Sequence, residues 1–403
     1  MTTGLLSGVT VLELSSYVAT PLAGLTLAQL GADVVRVEPP GGAADRSRLP
    51  VAASGTSYYW SGLNKGKRAI EVDLTTPEGQ DVVAELAAGV DAVIANASHR
   101  GAAGEAALRA RSPRLVHVQL TGRWTGEASV DYLVQASSGM QAVTGPAGSG
   151  APVNHVLPAW DVAAGLYLAN GVLAALRHRD ATGEGSSIAL ALEDVALATM
   201  GNLGLYTQAQ VDGVDRAPDG NYVYGTFGRD FELADGTRIM LVVLTTRHWR
   251  TLLEVTGLAD GVRAVERGLE IDLDDETARY EHRELVAALL APWFARRDLA
   301  GLVAACEGRR LLWSAYRDLD AAARDLADNP LFAPLDQPGV GSHLAPGSPL
   351  VVDGLRAAPR AAPVVGQHTR EVLAERLGAD RCAALLGPDH PHDHLTLDEG
   401  AHA

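Results

Sequence analysis

Three short segments near the start of the chain constrain its fold more than any other feature. Val9–Leu14 (VTVLEL) and Asp33–Glu38 (DVVRVE) are short apolar runs, and the small-residue segment Pro21–Leu30 lies between them. Apolar runs rich in β-branched residues predict buried strands, and a helix fits between them because Pro21 suits its first turn and Gly31 ends it. A strand, a crossover helix and a strand at this spacing predict a parallel pair in an α/β sheet.

The same alternation continues along the chain and predicts a larger sheet. Further strands are expected at residues 69–72, 91–94, 115–120 and 187–192, with helices at 77–88 and 161–179. The turn after the first strand, SSYVATP, lacks the G-x-G-x-x-G fingerprint of dinucleotide-binding folds. The layout is therefore Rossmann-like, but NAD is not expected as a cofactor.

A second domain is expected because 403 residues are too many for one ordinary core. From about Met200 the pattern changes. FELADGTRIMLVVL carries a hairpin signal at Asp235-Gly236, and acid-rich helical segments follow to about Asp328. This region predicts a smaller α+β domain.

Charge and composition argue against several classes of protein. The net charge of −16 argues against a nucleic-acid partner, because phosphate binding needs excess Lys and Arg. No apolar run reaches the ~18 residues of a membrane span, and the first residues lack the pattern of a secretory signal. Only Cys306 and Cys382 are present, far apart, which favours a reduced cytoplasm and gives no Cys-based metal site. We expect a cytoplasmic protein without metal or membrane association.

Asp161 is the strongest candidate for chemistry. It follows Pro158 and stands at the start of a predicted helix rich in small residues. A carboxylate there accepts hydrogen bonds from the first free N–H groups, so an N-cap role is one interpretation. The other is a carboxylate that is kept ionised and attacks a thioester to form a mixed anhydride. The two roles are compatible.

Six segments, taken in order along the chain, carry a family resemblance. They are VTVLELSSYVATPLAGLTLAQLGADVVRVEPPGGAADRSR, NKGKRAIEVDLTTPEGQDVVAELAAGVDAVIAN, DYLVQASSGM, LPAWDVAAGLYLANGVLAALRHRDATGEGSSIALAL, DGTRIMLVVLTTRHWRTL and VVGQHTREVL. Together they resemble the class III CoA-transferases (CaiB/BaiF type), a superfamily that includes formyl-CoA and carnitine CoA-transferases and the α-methylacyl-CoA racemases. The resemblance covers nearly the whole chain.

This resemblance implies an architecture. The expected fold is α/β, with a Rossmann-like large domain on a parallel sheet, a smaller α+β domain, and an obligate homodimer of interlocked rings. Residues 1–200 would form the first part of the large, CoA-binding domain, and residues 201–330 the small domain. Residues 331–388 would return to complete the large domain, and residues 389–403 would be a flexible tail.

The resemblance also implies an activity. The family's catalytic aspartate falls on Asp161; in the transferases it is acylated, then carries CoA as an aspartyl thioester, and finally returns the thiol to an acceptor acid. Asp131 matches an acidic residue that lies near the catalytic carboxylate in formyl-CoA transferase. In this chain Asp131 would then orient the acceptor or tune the pKa of Asp161. Otherwise Asp131 is an ordinary acid at a helix start. The expected reaction moves CoA, as a substrate, from an acyl-CoA donor to a carboxylic acid.

Positions that contact CoA carry over unevenly from the family. The matching positions are Tyr17, Val18, Ala19, Ile70, Val72 and Asn96, and the next candidate, Ala97, stands where the family commonly has an aromatic residue. Pro39 and Gly104 stand where the family often has a basic residue. The candidate replacements, which are equally interpretable as surface charges, are Arg36, Arg46, Arg100 and the only two lysines, Lys65 and Lys67.

Two alternative functions remain open. The racemases place a His at the position of Val130, and valine cannot hold the proton that two-base exchange at an α-carbon requires. A racemase or isomerase of 2-methylacyl-CoA thioesters is therefore the second interpretation. A non-catalytic acyl-CoA binding protein is the third, and the lost basic positions favour it.

Overall fold

The computed structural model describes residues 4–387, so the predicted tail at 389–403 lies outside the described residues. The described chain divides into two compact units. The larger unit comprises residues 4–138, 155–212 and 326–387, and the smaller unit comprises residues 139–154 and 213–325.

One parallel sheet organises the larger unit. Its strands are β1 (Thr10–Leu14), β2 (Asp33–Glu38), β3 (Arg68–Glu71), β4 (Ala92–Ala95), β5 (Val116–Thr121) and β6 (Ser187–Ala191). Their order is β3-β2-β1-β4-β5-β6, and every neighbouring pair is parallel. This is the doubly wound order in which strand succession reverses at β1 and β4, the place where such folds bind ligands. The predicted parallel α/β sheet is confirmed.

Helices follow the strands of this sheet. They are α1 (Ala19–Gln29), α2 (Tyr58–Leu63), α3 (Pro77–Ala87), α4 (Glu105–Arg111), α5 (Asp131–Ser138), α6 (Ala159–Thr182), α7 (Leu192–Asn202) and α8 (Leu205–Asp212). Apolar side chains from β1, β2, β4 and α3 form a continuous core under one face of the sheet. The core is dominated by Val, Leu and Ala, as expected for strands that are buried on both faces.

The small residues of α6 let it approach α1 closely. A Cβ atom at Gly165 would lie 2.6 Å from the backbone oxygen of Ala19, so only glycine fits there. This contact sets the start of α6 beside the start of α1.

Helix α6 is also long and apolar enough to cross a membrane, a property that core helices of soluble proteins share, and 44% of its most apolar stretch is buried inside the protein. The absence of membrane association stays a prediction.

The smaller unit combines an antiparallel sheet with helices. Its strands are β7 (Phe227–Glu232), β8 (Arg238–Val243) and β9 (Leu312–Ala315), and its helices are α9 (Thr246–Thr256), α10 (Ala259–Leu269), α11 (Glu276–Glu281), α12 (Arg283–Phe294), α13 (Leu299–Cys306) and α14 (Leu319–Arg324). The strands pair in the order β7-β8-β9. The turn at Asp235-Gly236 joins β7 to β8, and Gly236 has a φ of 80°. The predicted hairpin is confirmed.

The chain then returns to the larger unit. This part contains β10 (Phe332–Gln337), β11 (Gly341–Pro346), β12 (Val351–Val352), β13 (Leu355–Arg356), α15 (Thr369–Leu377) and α16 (Ala379–Leu386). Val372 and Leu373 of α15 join the core of the large sheet. The predicted boundaries placed residues 139–154 in the large domain, whereas this glycine-rich segment packs with the smaller unit. Composition gave no sign of that exchange.

Candidate active site

A cavity of about 250 Å³ opens at the carboxyl ends of β1, β4 and β5 in the larger unit. Its walls are the turn at residues 16–19, Asn96, the end of β5, the start of α5, and Asp161 near the start of α6. In a parallel sheet these strand ends meet at the same edge, and the cavity lies where the strand order reverses. The fold therefore brings Asp161 and Asp131 to one cavity, together with Tyr17, Val18, Ala19 and Asn96.

Asp131, not Asp161, satisfies the free N–H groups of α6. Helix α6 begins at Ala159, so Asp161 lies inside the first turn, and the prediction that it begins the helix is wrong. Oδ2 of Asp131 accepts the backbone N–H of Trp160 at 2.8 Å and that of Asp161 at 3.1 Å. Gln135 donates a side-chain N–H to the other oxygen of Asp131. Asp131, at the start of α5, thus caps α6. The two residues in each hydrogen bond are about 30 positions apart, so the local sequence pattern could not reveal this contact.

This arrangement leaves the Asp161 carboxylate unoccupied. Within residues 4–387 its side chain has no hydrogen bond and no ion pair, and it faces the cavity. A carboxylate without protein partners is available to react with a molecule bound in the cavity. The N–H groups that would otherwise hold it are taken by Asp131.

Burial raises the pKa of Asp161 to about 7, and the negative charge of Asp131 adds to the effect. The positive charge of Arg48 opposes both and lowers the pKa. Near neutral pH the carboxyl group is therefore about half ionised. A perturbed carboxyl group in a cavity is typical of a reacting group.

Arg48 is a residue of the cavity wall that sequence analysis missed. Its guanidinium lies 5.3 Å from the ring centroid of Tyr17 and 5.0 Å from that of Tyr59. Across the described part of the chain, no carboxylate lies within 4 Å of it. The only sequence signal was its position two residues after Arg46, which does not distinguish it from a surface arginine.

The turn after β1 is held in an unusual conformation at the cavity. Tyr17 has a φ of 65°, in the left-handed region that non-glycine residues rarely adopt. Its N–H donates to Oδ2 of Asp45 at 2.8 Å. Asn96 fixes Ser16, the residue before Tyr17. Its side chain accepts the N–H of Ser16 at 3.2 Å and donates to the Ser16 carbonyl at 2.7 Å. Strain of this kind persists where neighbouring groups enforce it, and it clusters at functional sites.

Arg36 does not line the cavity. It is fully buried, and its guanidinium contacts Glu13 at 3.2 Å, Glu38 at 3.2 Å and Asp45 at 3.1 Å. Because three carboxylates already surround it, this placement argues against the predicted contact with CoA. Arg36 instead holds the acid that fixes Tyr17.

Lys67 and Arg46 belong to the same buried ionic cluster. Nζ of Lys67 lies 2.9 Å from Glu13, and burial lowers the pKa of this lysine to about 8. Nε of Arg46 donates to Glu38 at 2.9 Å, and its guanidinium lies 3.7 Å from the ring centroid of Trp60. A Cβ atom at Gly24 would collide with the Glu13 carboxylate, so glycine is required where α1 passes this cluster. Both cations are committed to structural pairs.

The other predicted CoA positions differ in availability. Lys65 is buried, donates to the Pro346 carbonyl at 2.7 Å, and has a pKa lowered by burial to about 8. Ile70 and Val72 are buried in the core beneath the sheet. Ala97 and Arg100 are exposed just beyond β4. Among the predicted cations, Arg100 is the one that has solvent access and, within residues 4–387, no carboxylate partner.

Residues 6–369 match the family model described as CoA-transferase family III. This chain belongs to CoA-transferase family III. It is 45% identical to the 2-methylfumaryl-CoA isomerase of Chloroflexus aurantiacus, across 93% of this chain and 94% of that protein. It is 30% identical to the succinyl-CoA:mesaconate CoA-transferase of Haloarcula hispanica, across 92% of this chain and 96% of that protein.

A solved structure of a CaiB/BaiF family protein from Brucella suis has the same fold. The TM-score is 0.77 at 24% identity, and the match covers 93% of this chain and all of that one. The family III chain is therefore an enzyme of the class III CoA-transferase type with a mixed α/β fold. CoA is the substrate that the family shares.

Proposed function

We propose that this enzyme moves CoA between carboxyl groups through covalent intermediates on Asp161, and that its reaction is the isomerisation of 2-methylfumaryl-CoA. One observation carries the proposal: the Asp161 carboxylate faces the cavity and has no hydrogen-bond or ion-pair partner among residues 4–387, while Asp131 accepts the N–H groups at the start of α6. A carboxylate that was needed as a cap would not be free to react.

The chemistry balances without a metal or a redox cofactor. The ionised Asp161 attacks the thioester carbonyl, which forms a mixed anhydride and releases the CoA thiolate. The thiolate then attacks the Asp161 carbonyl, so an aspartyl-CoA thioester forms and the substrate leaves as a carboxylate. A carboxylate of the acceptor attacks this thioester, which forms a second mixed anhydride with Asp161 and releases the thiolate again. The thiolate then attacks the acceptor's carbonyl, so the new acyl-CoA forms and Asp161 leaves as the free carboxylate.

The two relatives support the substrate class. Mesaconate is 2-methylfumarate, and both names therefore describe four- or five-carbon dicarboxylic acids. When donor and acceptor carboxyl groups belong to one diacid, CoA transfer converts 2-methylfumaryl-CoA to 3-methylfumaryl-CoA, which is an isomerisation. The higher identity to the isomerase supports this intramolecular form.

Proton exchange at the α-carbon is the weaker alternative. C2 of 2-methylfumaryl-CoA carries a methyl group and a double bond, so it has no proton to exchange. Val130, at the position where racemases carry a base, lies at the cavity and is 58% exposed. An apolar side chain there supports transfer rather than racemisation. The free carboxylate of Asp161 in turn argues against a purely binding role.

Family membership also supports proposals for where CoA binds and for how the chain assembles. We place the pantetheine arm along the turn of residues 17–19 and Asn96, with Arg100 as a phosphate contact.

An obligate homodimer, in the cytoplasm, is also proposed. Its support is family membership together with the exposure of large apolar side chains in the larger unit, where Val156, Leu203 and Val211 are 94%, 71% and 76% exposed. Sedimentation of a monomer at micromolar concentration would contradict the homodimer.

The experiment is trapping with hydroxylamine during turnover of 2-methylfumaryl-CoA. We expect an aspartyl hydroxamate on the peptide that contains Asp161, together with appearance of the 3-methyl isomer by NMR. D161N should give neither product. D260N is the matched control, because the Asp260 side chain is 95% exposed in the smaller unit. D260N should give both products as the wild type does. Isomerisation by D161N at the wild-type rate would end the proposal.

A further inference from the structure

Arg48 differs from the neighbouring cations in its lack of a carboxylate within 4 Å among the described residues. Within residues 4–387 its guanidinium has no ion pair, although the neighbouring cations Arg36, Arg46 and Lys67 each contact a carboxylate. Arginine presents a rigid fork of N–H groups that matches a carboxylate. An unpaired fork in a cavity wall is therefore an anion site.

The side chain is held in place before any ligand arrives. The rings of Tyr17 and Tyr59 lie 5.3 and 5.0 Å from its guanidinium, within the range of cation–π attraction. Tyr17 is itself fixed by the hydrogen bond from its N–H to Asp45. Because no carboxylate within residues 4–387 lies within 4 Å of the guanidinium, its N–H groups are available to a bound anion.

Arg48 and Asp161 face the same small space. Both line the cavity, and Arg48 lowers the pKa of Asp161 without approaching within 4 Å of it. The cavity has a volume of about 250 Å³. This space suits a small diacid with one carboxyl group at Asp161 and the other at Arg48.

The geometry points to Arg48 as the residue that binds the second, unreacting carboxylate of a dicarboxylic substrate. This inference rests on the proposed function and adds the reason for a diacid. Since a diacid carries a carboxylate at each end, Arg48 holds one end while the other exchanges CoA at Asp161. The acid then turns end for end, and the same pair of residues serves the reverse arrangement. Arg48 thus keeps the diacid bound while its two ends exchange roles.

Two other roles for Arg48 make different predictions. A contact with a phosphate of CoA would weaken binding of CoA itself. A contact with the reacting carboxyl group would affect mono- and dicarboxylic acids alike. Inhibition of the isomerisation by three probes separates these roles: free 2-methylfumarate, the monocarboxylate (E)-2-methylbut-2-enoate, and free CoA.

The comparison uses R48Q and the wild-type enzyme at pH 9, where Asp161 is ionised in both. We expect R48Q to raise the inhibition constant of 2-methylfumarate about 10- to 100-fold, the loss of a charge-assisted bidentate contact. The constants for the monocarboxylate and for CoA should change less than about 3-fold, since neither would contact Arg48. R263Q is the matched control, because Arg263 is 59% exposed in the smaller unit. It should change none of the three.

The contrary results are equally definite. An equal rise for CoA would make Arg48 a CoA ligand, and an equal rise for the monocarboxylate would make it a contact of the reacting group; either overturns the inference. If R48Q does not fold, R48K is measured instead, and we expect an intermediate rise of about 3- to 10-fold for the diacid alone. Failure of trapping at Asp161 with a normal diacid effect would reject the nucleophile and leave the carboxylate site standing.

Discussion

Oδ2 of Asp131 accepts the backbone N–H of Asp161 at 3.1 Å, and the side chain of Asp161 faces the cavity with no hydrogen-bond or ion-pair partner in the described part of the chain. One acid therefore stabilises the helix start, and the other is left to react. The same proximity has an electrostatic cost, because the charge of Asp131 raises the pKa of Asp161.

The rate should depend on pH through Asp161. Because its pKa is about 7 and the ionised form attacks, kcat/KM should rise as pH increases through 7. D131N removes the negative charge beside Asp161, which should lower the pKa of Asp161 and move the acid limb of the kcat/KM profile to lower pH. The amide facing Gln135 should cost about 1 kcal/mol of stability. D298N, at the N-cap of α13, is the control: a cap is altered but the pH profile should stay unchanged. An unmoved acid limb in D131N would contradict this electrostatic account.

D161N should be more stable than the wild type at alkaline pH. The carboxyl pKa rises from its ordinary 3.8 to about 7 on folding, so the folded state binds more protons in that range and loses stability as pH rises through it. The variant avoids a cost of between about 1 and 4 kcal/mol at pH 8. Urea unfolding at pH 8 and pH 5 checks this. The advantage should shrink at pH 5, and a constant difference would contradict the burial of Asp161.

G165A should damage both stability and activity. The added Cβ would lie 2.6 Å from the Ala19 carbonyl oxygen, so α6 must move from α1 beside the cavity. We expect a loss of about 1–3 kcal/mol by thermal unfolding, with a lower kcat. G171A lies on the same helix and meets only the Ile188 side chain at 3.6 Å. It should gain up to about 1 kcal/mol, and equal behaviour of the two variants would be the contrary outcome.

Arg36 and Arg100 should separate structure from CoA binding. R36M would leave Asp45 buried without its cation and would remove one of the two cations that pair with Glu13 and with Glu38, at a cost of about 3–5 kcal/mol. R100Q alters an exposed side chain, so its melting temperature should stay near wild type while the KM for the acyl-CoA rises. A rise in KM for R36M with unchanged unfolding would restore Arg36 as a CoA contact.

Regular elements were predictable from sequence because their signals are local. The alternation of β1, α1 and β2, and the hairpin at Asp235-Gly236, follow from apolar period and turn residues a few positions apart. Family resemblance supplied Asp161, Asp131 and the turn at Tyr17, and the fold brings these to one cavity. The division of tasks between the two acids was not predictable, because it depends on residues far apart in sequence.

The cations were predicted least well. A basic residue near a phosphate site and one in a buried ionic cluster have the same letter in the sequence. Arg36 and Lys67 proved to be buried, while Arg48, which was not singled out, lines the cavity. The fold brings the carboxylates of Glu13, Glu38 and Asp45 together around the buried cations, and this cluster distinguishes those cations from the one in the cavity wall.

The most direct measurement is transfer of oxygen to Asp161. In the proposed exchange each released acid carries away one oxygen of this carboxylate, and each returning acid leaves one of its own behind. Turnover of 2-methylfumaryl-CoA with 18O in both carboxyl groups should therefore label the Asp161 peptide, as read by mass, and leave the Asp260 peptide unlabelled. Isomerisation that proceeds without 18O at Asp161 would contradict the account.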